Sequence, residues 1–235
     1  MRKGFSLLES LIGLTIMFLV VWGSLESFGT ARRVFYRLRL RQENSQAAWA
    51  ALDKIRFDVR LAGRGLSRPL RLGLLSAFET AEEKWTMMRA GDRPVLQADV
   101  AAGQTTLKVN VAGEDWAGRT LCLFDRSHGE TATIAGSGGG FVDLSAPLVR
   151  AYRAAETTAV VLLRTTIYLD GGTSILRRKA DASPAQPLCE GVDSFVFSLD
   201  AARCLASVRL ALVSSPEKSY DLSIMAENAA LGKQS

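Results

Sequence analysis

Five groups of residues in this chain are of types that do chemistry. The first is Glu9, an acid in an apolar run with no other ionisable side chain between Gly4 and Glu26. A carboxylate in hydrocarbon costs on the order of 2.5–3.5 kcal/mol, so Glu9 calls for a positive partner or for a place near the interface, to which it can snorkel. The second is Asp125-Arg126-Ser127-His128-Gly129-Glu130, which sets an acid, a hydroxyl and the one histidine side by side. Residues so close on a turn do not easily converge on one reacting atom, and no metal-ligand spacing surrounds them, so the stretch reads as a solvated hairpin loop. The third is the cysteines Cys122, Cys189 and Cys204. Cys122 has no second histidine to serve as its base. A bridge between Cys189 and Cys204 would close a loop of about 15 residues, worth about 3 kcal/mol in an exported head, and three buried thiols are the open alternative. The fourth, Gly136-Ser137-Gly138-Gly139-Gly140, lacks the Lys-Ser/Thr and the following helix of a phosphate loop, so a hairpin tip is expected. The fifth is Arg32, Arg33, Arg37, Arg39 and Arg41 around Phe35 and Tyr36. Such a cluster can meet nucleic-acid phosphates, but a helix leaving a bilayer is normally basic and aromatic at the headgroups, and DNA is not expected as a partner.

Two kinds of element must position these groups. The run from residue 5 to about 28 is long enough to cross a hydrocarbon core as a helix. From residue 30 the pattern becomes amphipathic: Ala31, Val34, Leu38, Ser45, Ala48, Leu52, Ile55, Val59 and Ala62 form one stripe, with Arg37, Arg39, Gln42, Glu43, Asp53, Lys54 and Arg60 on the other faces. With no proline or glycine from 30 to 62, the two halves predict one helix of roughly 87 Å at 1.5 Å per residue, ended by Gly63, Gly65 and Pro69. The membrane half is 5–28 and the amphipathic half 29–62, whose stripe needs a sheet to cover it.

Residues 63–235 read as the head. The mixed stretch 70–92 predicts no definite element. Short β-type runs at 95–100, 105–111, 119–124, 130–135 and 141–144, punctuated by glycines, suggest a small antiparallel barrel or sandwich as a β insertion over 95–161. A second set at 158–169, 174–178, 194–199, 206–213 and 220–225 includes Asp170-Gly171-Gly172 as a hairpin turn, and this sheet is expected to cover the helix stripe. The predicted class is α+β. The balance of 29 basic and 24 acidic residues, +5 overall, does not argue for a polyanionic partner. No catalytic residue, metal or cofactor is expected.

The leader Arg2-Lys3-Gly4-Phe5-Ser6-Leu7-Leu8-Glu9, followed by the apolar run, resembles the class III signal of type IV prepilins and type II secretion pseudopilins. The resemblance implies removal of residues 1–4 by a prepilin peptidase after Gly4, N-methylation of Phe5, and side-by-side assembly in which Glu9 of one subunit neutralises the Phe5 amine of another. A secretory signal peptide would need a small-residue cleavage site after the apolar core, and residues 22–28 supply only a weak one. The positive-inside rule conflicts with the resemblance. Arg2 and Lys3 precede the span but five arginines follow it, which would leave the head cytoplasmic, whereas a prepilin places it outside.

Further matches narrow the family. Asp53-Lys54-Ile55-Arg56-Phe57-Asp58-Val59-Arg60-Leu61-Ala62-Gly63 is similar to the helix end of minor pilins of the PilW type and of the J-type minor pseudopilin. So are Thr166-Ile167-Tyr168-Leu169, Leu176-Arg177-Arg178 and Leu188-Cys189-Glu190-Gly191-Val192-Asp193-Ser194-Phe195. The membrane half lacks the proline usual in major pilins. The likeness implies a minor pilin that joins a complex priming pilus assembly in the inner membrane, with its head in the periplasm, and is later located at or near an extracellular pilus tip. Its partners would be other minor pilins, the major pilin, the prepilin peptidase, inner-membrane lipid and a tip adhesin. The alternatives are a J-type pseudopilin of type II secretion and a membrane-anchored β domain that binds a ligand without assembling.

Overall fold

The protein was analysed as a computed structural model that describes residues 7–81, 83–110, 115–181 and 183–230. Gly4 and Phe5, the expected processing site, lie outside the described residues. The fold is α+β, with a long amino-terminal helix and antiparallel sheets. Two compact units divide it, Met1–Gln46 and Ala47–Ser235. Helix α1 (Leu7–Leu61) begins in the first and ends in the second.

In the first unit α1 runs without a break through the apolar segment. An 18-residue window with a mean hydropathy of 1.9 has none of its residues buried, so this helix is long and apolar enough to cross a membrane. The hydroxyls of Thr15, Ser24 and Thr30 donate to the carbonyls of Leu11, Val20 and Glu26 four residues back, which leaves these donors satisfied inside an apolar helix.

In the second unit the stripe is covered from Ala48 onward: Ala48, Ala51, Leu52, Ile55, Val59 and Ala62 are buried. The earlier members of the expected stripe are not, with Val34 49% and Leu38 56% exposed. Periodicity places residues on one face of a helix but does not say how far along it a cover reaches. The helix ends at Gly63, whose φ of 77° suits glycine and whose backbone closes on that of Asn228 and Ala229, 3.0–3.1 Å from where a Cβ would lie. Asn228 donates to the carbonyl of Arg60 at 2.6 Å, and Gly63 N–H donates to Met88 at 2.7 Å.

Ten strands form one antiparallel sheet. They are β1 (Phe78–Ala81), β2 (Lys84–Ala90), β3 (Val95–Leu96), β4 (Thr106–Asn110), β5 (Thr120–Phe124), β6 (Gly129–Gly138), β7 (Phe141–Leu144), β8 (Thr158–Asp170), β9 (Ile175–Ala180) and β10 (Gln186–Glu190). Their order is β1-β2-β8-β5-β6-β7-β4-β3, with β9 on β8 and β10 on β9. Three more, β11 (Val192–Asp200), β12 (Leu205–Leu212) and β13 (Ser215–Met225), make a separate antiparallel sheet. Two short helices, α2 (Ser67–Arg71) and α3 (Glu227–Ala230), complete the element order.

The thirteen-residue β8 organises the head, because strand residues alternate between faces. Ala159 and Val161 enter a core with Leu107 of β4, Leu121 of β5, Ile134 of β6 and Val142 of β7. Val160 and Leu162 enter another with Cys122, Phe124, Met88 and Leu66. Ile167 joins the core around α1, to which β12 contributes Ala206, Val208, Leu210 and Leu212 and β13 contributes Tyr220, Leu222 and Ile224. Burial on both faces explains why 159–162 and 121–124 read as unbroken apolar runs.

Several expectations differ from the structure. Residues 95–100 hold only the two-residue β3 and one bridge from Val100 to Tyr152. Strand β6 extends through Gly136 and Gly138, so the tip of the hairpin is Gly139-Gly140, both with positive φ. The runs after 158 divide between two sheets rather than forming one. The unread stretch 70–92 carries β1 and β2, joined through Glu83 at a φ of 62°, a turn without the glycine that would have marked it. Strand β10 was hidden by Pro187, next to a register shift on a strand that pairs on one side only.

Candidate functional site

Glu9 lies in the first turn of α1. Starting at Glu9, the residues Gly13, Ile16, Val20, Gly23, Ser27, Ala31 and Val34 recur at alternating steps of four and three, with one doubled four. A shallow groove follows the later part of this face, lined by Gly23, Ser27, Thr30, Ala31, Val34 and Leu38 together with Glu26 and Phe35. A Cβ added at Gly13 or Gly23 would meet nothing within 4 Å, so no contact among the described residues requires glycine there. Each interior helical glycine costs about 1 kcal/mol relative to alanine. Small residues spaced four apart are what allow two helix backbones to approach in lipid, where packing rather than the hydrophobic effect drives association.

A second feature ties α1 to the head. Asp58 is buried and accepts two hydrogen bonds from Arg178 on β9, Nε to Oδ2 at 2.6 Å and Nη2 to Oδ1 at 3.0 Å. The hydrogen bond to Asp58 is the main cause that holds the Arg178 guanidinium above its usual pKa, against desolvation. This pair was not singled out from the sequence. Its mark was there: Asp58 follows Ile55 by three and precedes Ala62 by four, which places an acid on the apolar stripe.

All three cysteines are free thiols, Cys122 and Cys189 buried and Cys204 partly exposed. No bridge joins Cys189 of β10 to Cys204 in the β11–β12 turn; the thiols lie at 3.6 Å from the Glu190 carbonyl and 3.7 Å from the Ala201 carbonyl. Burial pushes the Cys122 thiol up to about 12, and burial followed by the Glu190 charge raises Cys189. The thiolate is the reactive form. In the native chain at pH 8, one equivalent of a thiol reagent is therefore expected to react fast, at Cys204, with the other two released only by denaturant. A native protein with no fast thiol and a mass short by two hydrogens would instead establish the bridge.

His128, Asp125 and Ser127 do come together, but on one ring nitrogen: Nδ1 lies 3.0 Å from Asp125 Oδ2 and 2.9 Å from Ser127 Oγ. A proton relay needs the acid and the hydroxyl on opposite nitrogens. Asp125 also accepts the N–H groups of Ser127 and His128, which hold its carboxyl below the usual range in spite of desolvation, and the ring stacks on Tyr152 with centroids 5.6 Å apart. The arrangement orders a turn. Among the described residues no three His, Cys, Asp or Glu side chains group as metal ligands.

Comparison with known proteins adds little to this geometry. No protein family matches the chain, and no curated protein does. Among solved structures, part of it is similar to the tailspike protein gp49 of Pseudomonas phage LKA1, at 20% identity and a TM-score of 0.27, over 31% of this chain and 15% of that one. Part is similar to the Gp54 tailspike of Acinetobacter baumannii bacteriophage AP22, solved with a capsular saccharide, at 16% identity and a TM-score of 0.29, over 33% of this chain and 15% of that one. Likeness at this level carries no argument about what the chain does.

Proposed function

We propose that this chain is a minor subunit of a type IV pilus, anchored in the inner membrane by α1 and joined to its partners through that helix, with no catalysis of its own. The observation that carries the reading is the face of α1 that begins at Glu9. An acid, two glycines where an added side chain would meet none of the described residues, and further small residues share one stripe of a helix with no burial in its apolar window. In this reading a prepilin peptidase removes residues 1–4, and the new amine of Phe5 on a neighbouring pilin neutralises Glu9, which leaves neither charge bare in lipid. A head formed from Ala47–Ser235 is bulky to repeat along a packed shaft, which favours a place at or near the tip, beside other minor pilins and an adhesin.

Intact-mass measurement of the membrane-extracted protein tests the reading. The expected mass lacks residues 1–4 and carries one added methyl group. A mass that retains those residues would point to the alternative, a membrane-anchored β domain that does not assemble. A J-type pseudopilin of type II secretion would share the processing, and is separated from a pilus subunit by its partners, a secretin and exported hydrolases.

A further inference from the structure

A groove of about 280 Å³ beside β5, β8 and β9 gathers Arg119, Arg164 and Lys179 around a single acid, Asp181, with Leu162 as its apolar wall and Thr120 and Thr166 among its lining residues. It lies on the face of β8 that carries the buried Val160 and Leu162. Two residues on, this face turns polar at Arg164 and Thr166, and pairing sets Thr166 opposite Lys179 of β9.

The charges in this groove are poorly neutralised from within. Asp181 accepts the Arg164 backbone N–H on Oδ1 at 2.7 Å and returns its own N–H to the Arg164 carbonyl at 2.8 Å, so one oxygen of this acid is committed to the main chain. Among the described residues neither Arg164 nor Lys179 has a carboxylate within ion-pair distance, and both are exposed. Arg119 reaches Asp92 only at 3.9 Å, on the Oδ2 that already accepts the Trp116 indole N–H at 2.9 Å. Three cations against Asp181 and the more distant Asp92 leave a net positive charge, the complement of an anion. Two guanidinium groups and an ammonium, with the Thr120 hydroxyl beside them, offer more donors than a planar carboxylate can use and suit the oxygens of a phosphoryl group; the Thr166 hydroxyl is already paired with that of Thr86 at 3.0 Å.

We infer that this groove binds a phosphate group, either the free ion or a monoester. Its residues are remote in sequence from the α1 stripe, and the inference does not rest on the assembly reading. The test is calorimetric titration of the full chain in non-ionic detergent, with inorganic phosphate in one arm and glycerol phosphate in the other. Saturable binding is expected in at least one arm and should weaken with added salt. Binding in the ester arm alone identifies a ligand carried on a larger molecule; binding in both identifies the phosphoryl group itself. Arg164→Gln and Lys179→Gln, both at exposed positions, are each expected to weaken it at least about tenfold, while Arg153→Gln, on an arginine paired with Glu156 away from the groove, leaves it unchanged. Absence of binding in both arms overturns the inference, as does binding that Arg164→Gln and Lys179→Gln leave intact.

Discussion

Asp58→Leu is expected to destabilise the head by about 3 kcal/mol, because it leaves the partly buried Arg178 guanidinium without its carboxylate. Arg178→Met should cost a similar amount by stranding the Asp58 charge. Total stabilities of single domains are of order 5–15 kcal/mol, so either change removes a large fraction. The double variant Asp58→Leu with Arg178→Met is expected to recover most of the loss, since a buried pair replaced as a whole by apolar groups is often neutral or stabilising. Denaturant unfolding of the four proteins in detergent measures this coupling. Two single losses that simply add in the double variant would show that the side chains act independently and that their bidentate geometry contributes nothing.

The second large effect is expected in the membrane. Glu9→Leu removes the ionisable group from an apolar window and should leave insertion unchanged or improved, since a carboxylate there costs on the order of 2.5–3.5 kcal/mol. Under the proposed function the same change abolishes recovery of partner pilins with the protein from membranes. Glu9→Gln, which keeps the size and loses the charge, should behave like the leucine variant. A defect in Glu9→Leu that Glu9→Gln repairs would mean that a hydrogen bond, and not a charge, joins the subunits.

How much of this was legible in the sequence depends on what kind of signal each element leaves. Helix α1 declared itself through an uninterrupted apolar run, a stripe at steps of three and four, and Gly63 at its end. Strand β8 did so through a long apolar run, and β12 through alternation of apolar with small or polar residues. Strands β1, β2 and β10 did not, because Glu83 turns without glycine and Pro187 stands where a strand is least expected. The division of strands between two sheets was also hidden, since alternation fixes which way a side chain faces and not which neighbour a strand chooses. Glu9 stood out as a charge among apolar residues. Asp58 did not, because its neighbours Arg56 and Arg60 make an acid there look like part of a solvated face. The Arg119, Arg164, Lys179 groove could not be read at all: its members come from three strand regions, and only the pairing of β8 with β5 and β9 brings them together.

The most direct test of the central claim, that the Glu9 face of α1 joins this chain to other subunits, is photo-crosslinking in native membranes from a probe at Ile16, on that face, and from one at Phe18, on the opposite side. Protein adducts are expected from Ile16 to the apolar amino-terminal segment of another subunit, lost in the Glu9→Leu background, and mainly lipid adducts from Phe18. Lipid adducts alone from Ile16, with Glu9 present, would contradict it.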